Sequence, residues 1–102
     1  MYKIIFTAPE SHVEKVKEAA FSCGAGIQNN YQKCAFETKG RGQFLPMDNS
    51  NPTIGSKGQL TYVTEIRVEV LCDETCLEKT ITSIKNSHPY ESPMIDVYLL
   101  HK

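Results

Sequence analysis

"LTYVTEIRVEVLC", residues 60–72, is the stretch on which the fold turns. Leu60, Tyr62, Ile66, Val68 and Val70 fall on one side of it, and Thr61, Glu65, Arg67 and Glu69 on the other. Successive side chains of an extended chain point to opposite faces, so this period of two predicts a long strand with one buried and one wet face. Such a strand needs neighbours and a covering layer, and the flanking sequence predicts both.

Downstream, Asp73 is a good N-cap for a helix whose inward stripe is Leu77, Ile81 and Ile84. That helix stops at His88-Pro89, because proline disfavours a helical residue before it. "PMIDVYLL" (93–100) then predicts a closing strand, with Ile95, Val97 and Leu99 on one side and Met94, Asp96, Tyr98 and Leu100 on the other. Upstream, "YQKCAFET" (31–38) alternates Cys34 and Phe36 against Lys33 and Glu37, which predicts a second strand. Before it, Val13, Val16, Ala20 and Cys23 recur at spacings of three, four and three, one apolar stripe along a helix. Ser11 with Glu14 fits a capping box at its start, and Gly24 and Gly26 suit left-handed backbone at its end. "YKIIFTA" (2–8), with Tyr2, Ile4 and Phe6 on one face, predicts the first strand.

The order is β-α-β-β-α-β. It predicts an α+β ferredoxin-like sandwich: a four-stranded antiparallel sheet, two helices on one face, and a long loop between strands 2 and 3. The helix-free face would carry Met94, Tyr98 and Leu100 beside Glu65, Arg67 and Glu69. That apolar share predicts contact between subunits through it, the alternative being a plain solvated sheet.

At 102 residues the chain is expected to be a single domain, 1–102, with a core modest enough to gain from association. Eleven basic and twelve acidic residues, interspersed, give no single-signed field to gather a nucleic-acid backbone. The N-terminus lacks the apolar core of an export signal and no stretch is long enough to span a bilayer, so no membrane is expected. Cys23, Cys34, Cys72 and Cys76 are then expected as reduced thiols in a cytoplasm.

"KGRGQFLPMDNSNPTIGSKGQL" (39–60) is far longer than a sandwich needs to join its middle strands. Phe44, Leu45, Pro46, Pro52 and Ile54 give it apolar anchors and stiff joints, while Gly40, Gly42, Gly55 and Gly58 permit positive torsions or close backbone approach. Neither "GRG" nor "GSKG" has the spacing of a phosphate-binding motif. Arg41 and Lys57 could pair with phosphate or carboxylate groups, or serve only to keep the loop soluble. The candidate ligand or partner site is accordingly Gly40, Arg41, Gly42, Phe44, Pro46, Asn51, Pro52, Ile54, Gly55, Lys57 and Gly58, together with Tyr90 of the corner that follows.

That corner, His88-Pro89-Tyr90-Glu91-Ser92-Pro93, admits two readings. Its prolines fix the backbone, His88 can bond a carbonyl, Tyr90 can bury its ring and Glu91 can accept backbone donors. Alternatively His88 and Glu91 hold a divalent metal ion, a cofactor that would need further donors from another subunit. Cys72 and Cys76 lie where strand gives way to helix, where a thiol can become more acidic, but their spacing is not that of a zinc or redox motif. No catalytic set stands out, and no enzyme is expected.

Taken together, "GRGQFLP", "NPTIG" with "GQL", "EIRVEV" and "HPYESP" followed by "IDVY" resemble the YqfO-type members of the Nif-three-like family. The likeness is to the small domain inserted between that family's two metal-binding halves. That domain is similar in fold to CutA and the PII signal proteins. The resemblance implies a free-standing PII/CutA-like module, a homo-oligomer, a trimer above all, with clefts between subunits near the long loop. It also implies regulation through a small molecule or protein partner, not the cyclohydrolase activity of halves that this sequence lacks. A similar His-x-Tyr-Glu corner in CutA proteins, linked to divalent-cation tolerance, implies the alternative: metal binding at His88 and Glu91.

Overall fold

In the computed structural model of the chain, which describes residues 1–101, β1 (Tyr2–Pro9) is flanked by two antiparallel neighbours. Then come α1 (Val13–Ser22), β2 (Phe36–Phe44) and β3 (Thr61–Cys72). A single 3-10 turn (Glu74–Cys76), α2 (Leu77–Ser87) and β4 (Ile95–Leu99) complete the chain. The sheet order is β2-β3-β1-β4, and all its pairs are antiparallel. This is the expected α+β sandwich.

Register explains the burial. Ile4 stands opposite Val70 and Val97, and Phe6 opposite Val68 and Ile95. These side chains share the face on which Val13, Val16 and Ala20 of α1 and Ile84 of α2 are buried, with Leu77 and Ile81 packed at the margin. The opposite face carries Lys3, Ile5, Glu65, Arg67, Glu69, Asp96 and Tyr98 by the same alternation. Lys3 and Arg67 both pair there with Glu69.

Lengths do not match across the sheet. β1 pairs only with Glu65–Cys72 of β3, so Thr61–Thr64 pairs with β2 alone. The two middle strands thus run on as a two-stranded arm past the edge of β1, and the molecule measures 47 × 25 × 24 Å.

Three expectations are corrected. β2 occupies Phe36–Phe44, not 31–38. Asn29 and Lys33 adopt positive φ and Tyr31 forms only an isolated bridge to Gln28, which breaks extension before Phe36. The glycines read as the start of the loop, Gly40 and Gly42, lie inside β2 opposite Glu65 and Val63, and the free connection shrinks to residues 45–60. The capping box is absent: His12 is the N-cap of α1 and makes no side-chain cap bond. Ser11 Oγ bonds His12 Nδ1 instead, and Glu14 pairs with Lys17. Lys17 also pairs with Glu37, tying α1 to β2. By contrast, Asp73 does cap the turn after β3, accepting from the Thr75 N–H, and Gly24 and Gly26 do adopt positive φ.

Phe6 has no exposed surface and sits at the centre of the core. Phe6→Ala is expected to lower unfolding free energy by about 3–5 kcal/mol in urea denaturation.

Candidate functional site

Residues 45–60 fold back over the helix-free face and meet the corner that follows α2. Two hydrogen bonds join them. The Asn51 N–H donates to Glu91 Oε2 at 3.0 Å, and the Thr53 hydroxyl donates to the Pro89 carbonyl at 2.6 Å. The loop is also closed on itself, the Gly58 N–H donating to the Pro46 carbonyl at 2.7 Å. Pro46 is buried.

Between loop, corner and sheet lies a cleft of about 730 Å³. Its floor is the helix-free face at the root of the arm: Thr7 of β1, Gly40 and Gly42 of β2, Glu65 and Arg67 of β3. Phe44, Pro46, Met47, Pro52 and Ile54 form an apolar wall, and Tyr90, Glu91 and Met94 face them from the corner. Gly42 is required by close approach, since a Cβ there would come within 2.6 Å of Glu65 Oε1. Gly55 is required by torsion, with φ of +85° and Thr61 Oγ1 2.6 Å from where a Cβ would stand.

Of the residues expected from sequence, Gly40, Arg41, Gly42, Phe44, Pro46, Pro52, Ile54 and Tyr90 line this one cleft. Asn51 fastens its wall. Gly55, Lys57 and Gly58 lie outside the lining, Gly55 and Gly58 turning the loop with positive φ. The Arg41 guanidinium stacks 4.4 Å over the Tyr62 ring, a cation–π contact. Thr7, Glu65 and Arg67 were not singled out as site residues, although the β3 alternation already put Glu65 and Arg67 on the helix-free face.

Tyr90 lines the cleft, with its hydroxyl turned into the protein. Its hydroxyl oxygen is buried and has no hydrogen-bond partner among the described residues. Burial first, and then the neighbouring Glu65 carboxylate, hold the phenol well above its ordinary value, so it stays a proton donor at neutral pH.

His88 is built into the corner. Its ring is buried, with 7% exposure. Nδ1 accepts the Tyr90 N–H at 3.1 Å, so Nε2 carries the proton and donates to the Thr7 carbonyl at 2.7 Å. Both ring nitrogens are therefore occupied in this subunit. Glu91 is occupied by Asn51, and no group of three or more His, Cys, Asp or Glu among the described residues converges as a metal cage would.

The chain resembles known proteins along nearly its whole length. No family model matches it. It is 39% identical over 100 residues to the "GTP cyclohydrolase 1 type 2 homolog" of Halalkalibacterium halodurans, covering 98% of this chain and 27% of that protein. To the Listeria monocytogenes protein of the same name it is 43% identical over 99 residues, covering 96% and 26%. The crystal structure of a Bacillus cereus protein related to NIF3 superposes with a TM-score of 0.85 at 34% identity, over 99% of this chain and 26% of that one. Along nearly its whole length the chain is thus similar to one portion of these NIF3-related proteins. It spans about a quarter of the length of the curated relatives it matches. CutA1 from Pyrococcus horikoshii superposes over 100% of this chain and 85% of its own with a TM-score of 0.72 at 19% identity. The PII-like protein CutA from Nostoc does so over 98% and 81% with a TM-score of 0.64 at 17% identity. These two likenesses are of fold alone: the chain has a PII/CutA-like fold.

Two outcomes follow for this chain. Burial is the leading cause that lowers the His88 pKa below its ordinary 6.5, outweighing the Thr7 carbonyl and Glu65, which raise it. Native protein therefore binds this proton less readily than unfolded protein. The His88 contribution is full above pH 6.5 and is lost progressively as pH falls from there towards the native value. Denaturant titrations between pH 5 and 7 are expected to show stability falling with acid by at most about 1.4 kcal/mol per pH unit, and the slope is expected to flatten in His88→Asn. Separately, Glu91→Ala is expected to speed exchange of the Asn51 amide several-fold without changing exchange of the β1 amides, read by hydrogen-exchange NMR.

Proposed function

We propose that this PII/CutA-like domain is a binding module without catalysis of its own, and that a small molecule enters the cleft between the 45–60 loop and the 88–93 corner. A segment of a protein partner is the other occupant of the same class of site. What carries the reading is that two segments remote in sequence are hydrogen-bonded to each other around an apolar cavity. Its volume lies within the roughly 300–1,000 Å³ of small-molecule sites. A ligand with an aromatic or aliphatic body fits that lining.

We further propose that copies of the chain associate, as a trimer, through the helix-free face. Tyr98 and Phe36 support this, being 54% and 67% exposed on that face beside half-covered Met94. Four free thiols support a reducing compartment, the cytoplasm. No helix is long and apolar enough to cross a membrane.

The divalent-cation alternative draws on neighbours named for divalent cation tolerance, from Archaeoglobus fulgidus and Thermus thermophilus. It would oblige His88 to surrender at least one of its two bonds. Calorimetric heat with copper, zinc or manganese that vanishes in a His88→Ala, Glu91→Ala double variant would favour it over the cleft.

The test of the leading reading is a fragment screen by NMR on the protein at its native assembly size, measured by sedimentation. Shifts are expected to concentrate at Thr7, Arg67 and Tyr90, and to weaken about tenfold or more in affinity when Gly42→Leu pushes Glu65 and fills the cleft. Fragments that bind elsewhere, or bind the Gly42→Leu variant equally, overturn it.

A further inference from the structure

We infer that Cys72 and Cys76 form a redox couple that closes to an intrachain disulfide by exchange with a low-molecular-weight disulfide such as oxidised glutathione. The inference does not depend on the cleft, which lies at the other end of β3. Cys72 is the last residue of β3, and Cys76 is the last residue of the 3-10 turn that leads into α2. That turn is closed by the Cys76 N–H donating to the Asp73 carbonyl at 3.1 Å. It brings the two sulfurs to 3.2 Å, inside ordinary sulfur–sulfur packing distance. Both thiols also reach the same acceptor, the Asp73 carbonyl, at 3.4 Å each. The two sulfurs thus share one side of one turn. A disulfide needs about 2.05 Å, so rotation about two Cα–Cβ bonds has to close roughly 1.1 Å.

The remaining thiols have no such partner. Cys23 donates to the Lys79 carbonyl at 3.6 Å and Cys34 to the Gln32 carbonyl at 3.9 Å. A soft-metal site at Cys72 and Cys76 is less well provided for, because no further Cys, His, Asp or Glu side chain completes a cage among the described residues.

The step balances with one oxidant. Cys76, 7% exposed against 1% for Cys72, is the less deeply buried of the two and the first to react. Its thiolate attacks one sulfur of glutathione disulfide, forming a mixed disulfide and expelling one glutathione thiolate. The Cys72 thiolate attacks Cys76 Sγ, forming the intrachain bond and expelling the second. The two glutathione thiolates take up the two protons that the cysteines released. Two protein thiols are oxidised and one glutathione disulfide is reduced.

The surroundings set the character of the couple. A helix start can make a thiol more acidic, but here burial first, and then the Cys76 thiol, push Cys72 up to about 11. A buried thiol of that kind reacts slowly, yet its reduced form gains nothing from a stabilised thiolate, so the disulfide resists reduction once formed. The bond would pin the end of β3 to the start of α2, where Thr80 donates to the Cys76 carbonyl at 2.7 Å.

The experiment uses the full chain carrying Cys23→Ser and Cys34→Ser, equilibrated in glutathione buffers of graded reduced-to-oxidised ratio, then acid-quenched, unfolded and alkylated with a maleimide. As the ratio becomes oxidising, labelled thiols are expected to fall from two to none and the intact mass to drop by two hydrogens, with full reversal by dithiothreitol. Replacing Cys72 with Ala as well is expected to leave Cys76 carrying glutathione instead. The same end point must be reached by refolding the reduced chain in each buffer, which removes slow access to buried sulfur as an explanation. Two labelled thiols at the most oxidising ratio by both routes, or a glutathione adduct that persists with Cys72 present, overturns the inference.

Discussion

The register between β1 and β3 is the constraint on which the rest depends. β1 is buried along its helix side, where Ile4, Phe6 and Ala8 have no exposure, and at Ile5, with 4%, on the other. A slip of one residue would turn the Ile66-Val68-Val70 row away from the helices, so the register is strongly specified. Once it is fixed, the twelve residues of β3 must overhang the eight of β1. That overhang becomes the arm. The 45–60 loop leaves from the end of the arm and returns along the helix-free face, so the cleft floor consists of residues on either side of the point where β1 stops.

The corner after α2 answers the same geometry from the other side. His88 ends the helix with extended backbone, its N–H still bonded to the Ile84 carbonyl. Its ring spans from β1, through Thr7, to the Tyr90 amide. A neutral imidazole suits this place because it offers one acceptor and one donor at fixed opposite positions. Protonation would turn the acceptor towards Tyr90 into a second donor and force two N–H groups together. The histidine therefore works as a spacer that sets where Tyr90 and Glu91 stand, and through Glu91 where the loop is held. His88 and Glu91, the candidate metal ligands, thus also tie the corner to β1 and to the loop.

How far this could be read in advance differs from element to element. The alternation of 60–72 and the spacing of Val13, Val16 and Ala20 were legible because each pattern follows from burying one face of a regular element. β2 was not, because Gly40 and Gly42 are poor strand formers by composition and were read as loop. In the fold Gly42 serves the strand by making room for the Glu65 carboxylate, a requirement set by the opposite strand and invisible locally. The apolar anchors of the loop announced a surface that wants contact, yet the partners they meet, Thr7 and Arg67, lie far away in sequence. Likewise, Cys72 and Cys76 carry no recognised spacing, and only the turn at Asp73 brings their sulfurs together.

The charged groups around the cleft bear on the proposed absence of catalysis. General acid–base work needs groups poised to exchange protons near neutral pH and free to reach a substrate. Tyr90 is held too strongly protonated to act as a base. His88 is buried with both nitrogens bonded, and Glu91 is engaged by a backbone amide. Arg67 shares the Glu69 carboxylate with Lys3. What remains is an apolar wall and the Glu65 carboxylate, a set suited to holding a ligand more than to transforming one. Relatives about four times as long carry a name drawn from cyclohydrolase chemistry. In the reading proposed for this domain, its own share of such a protein is recognition.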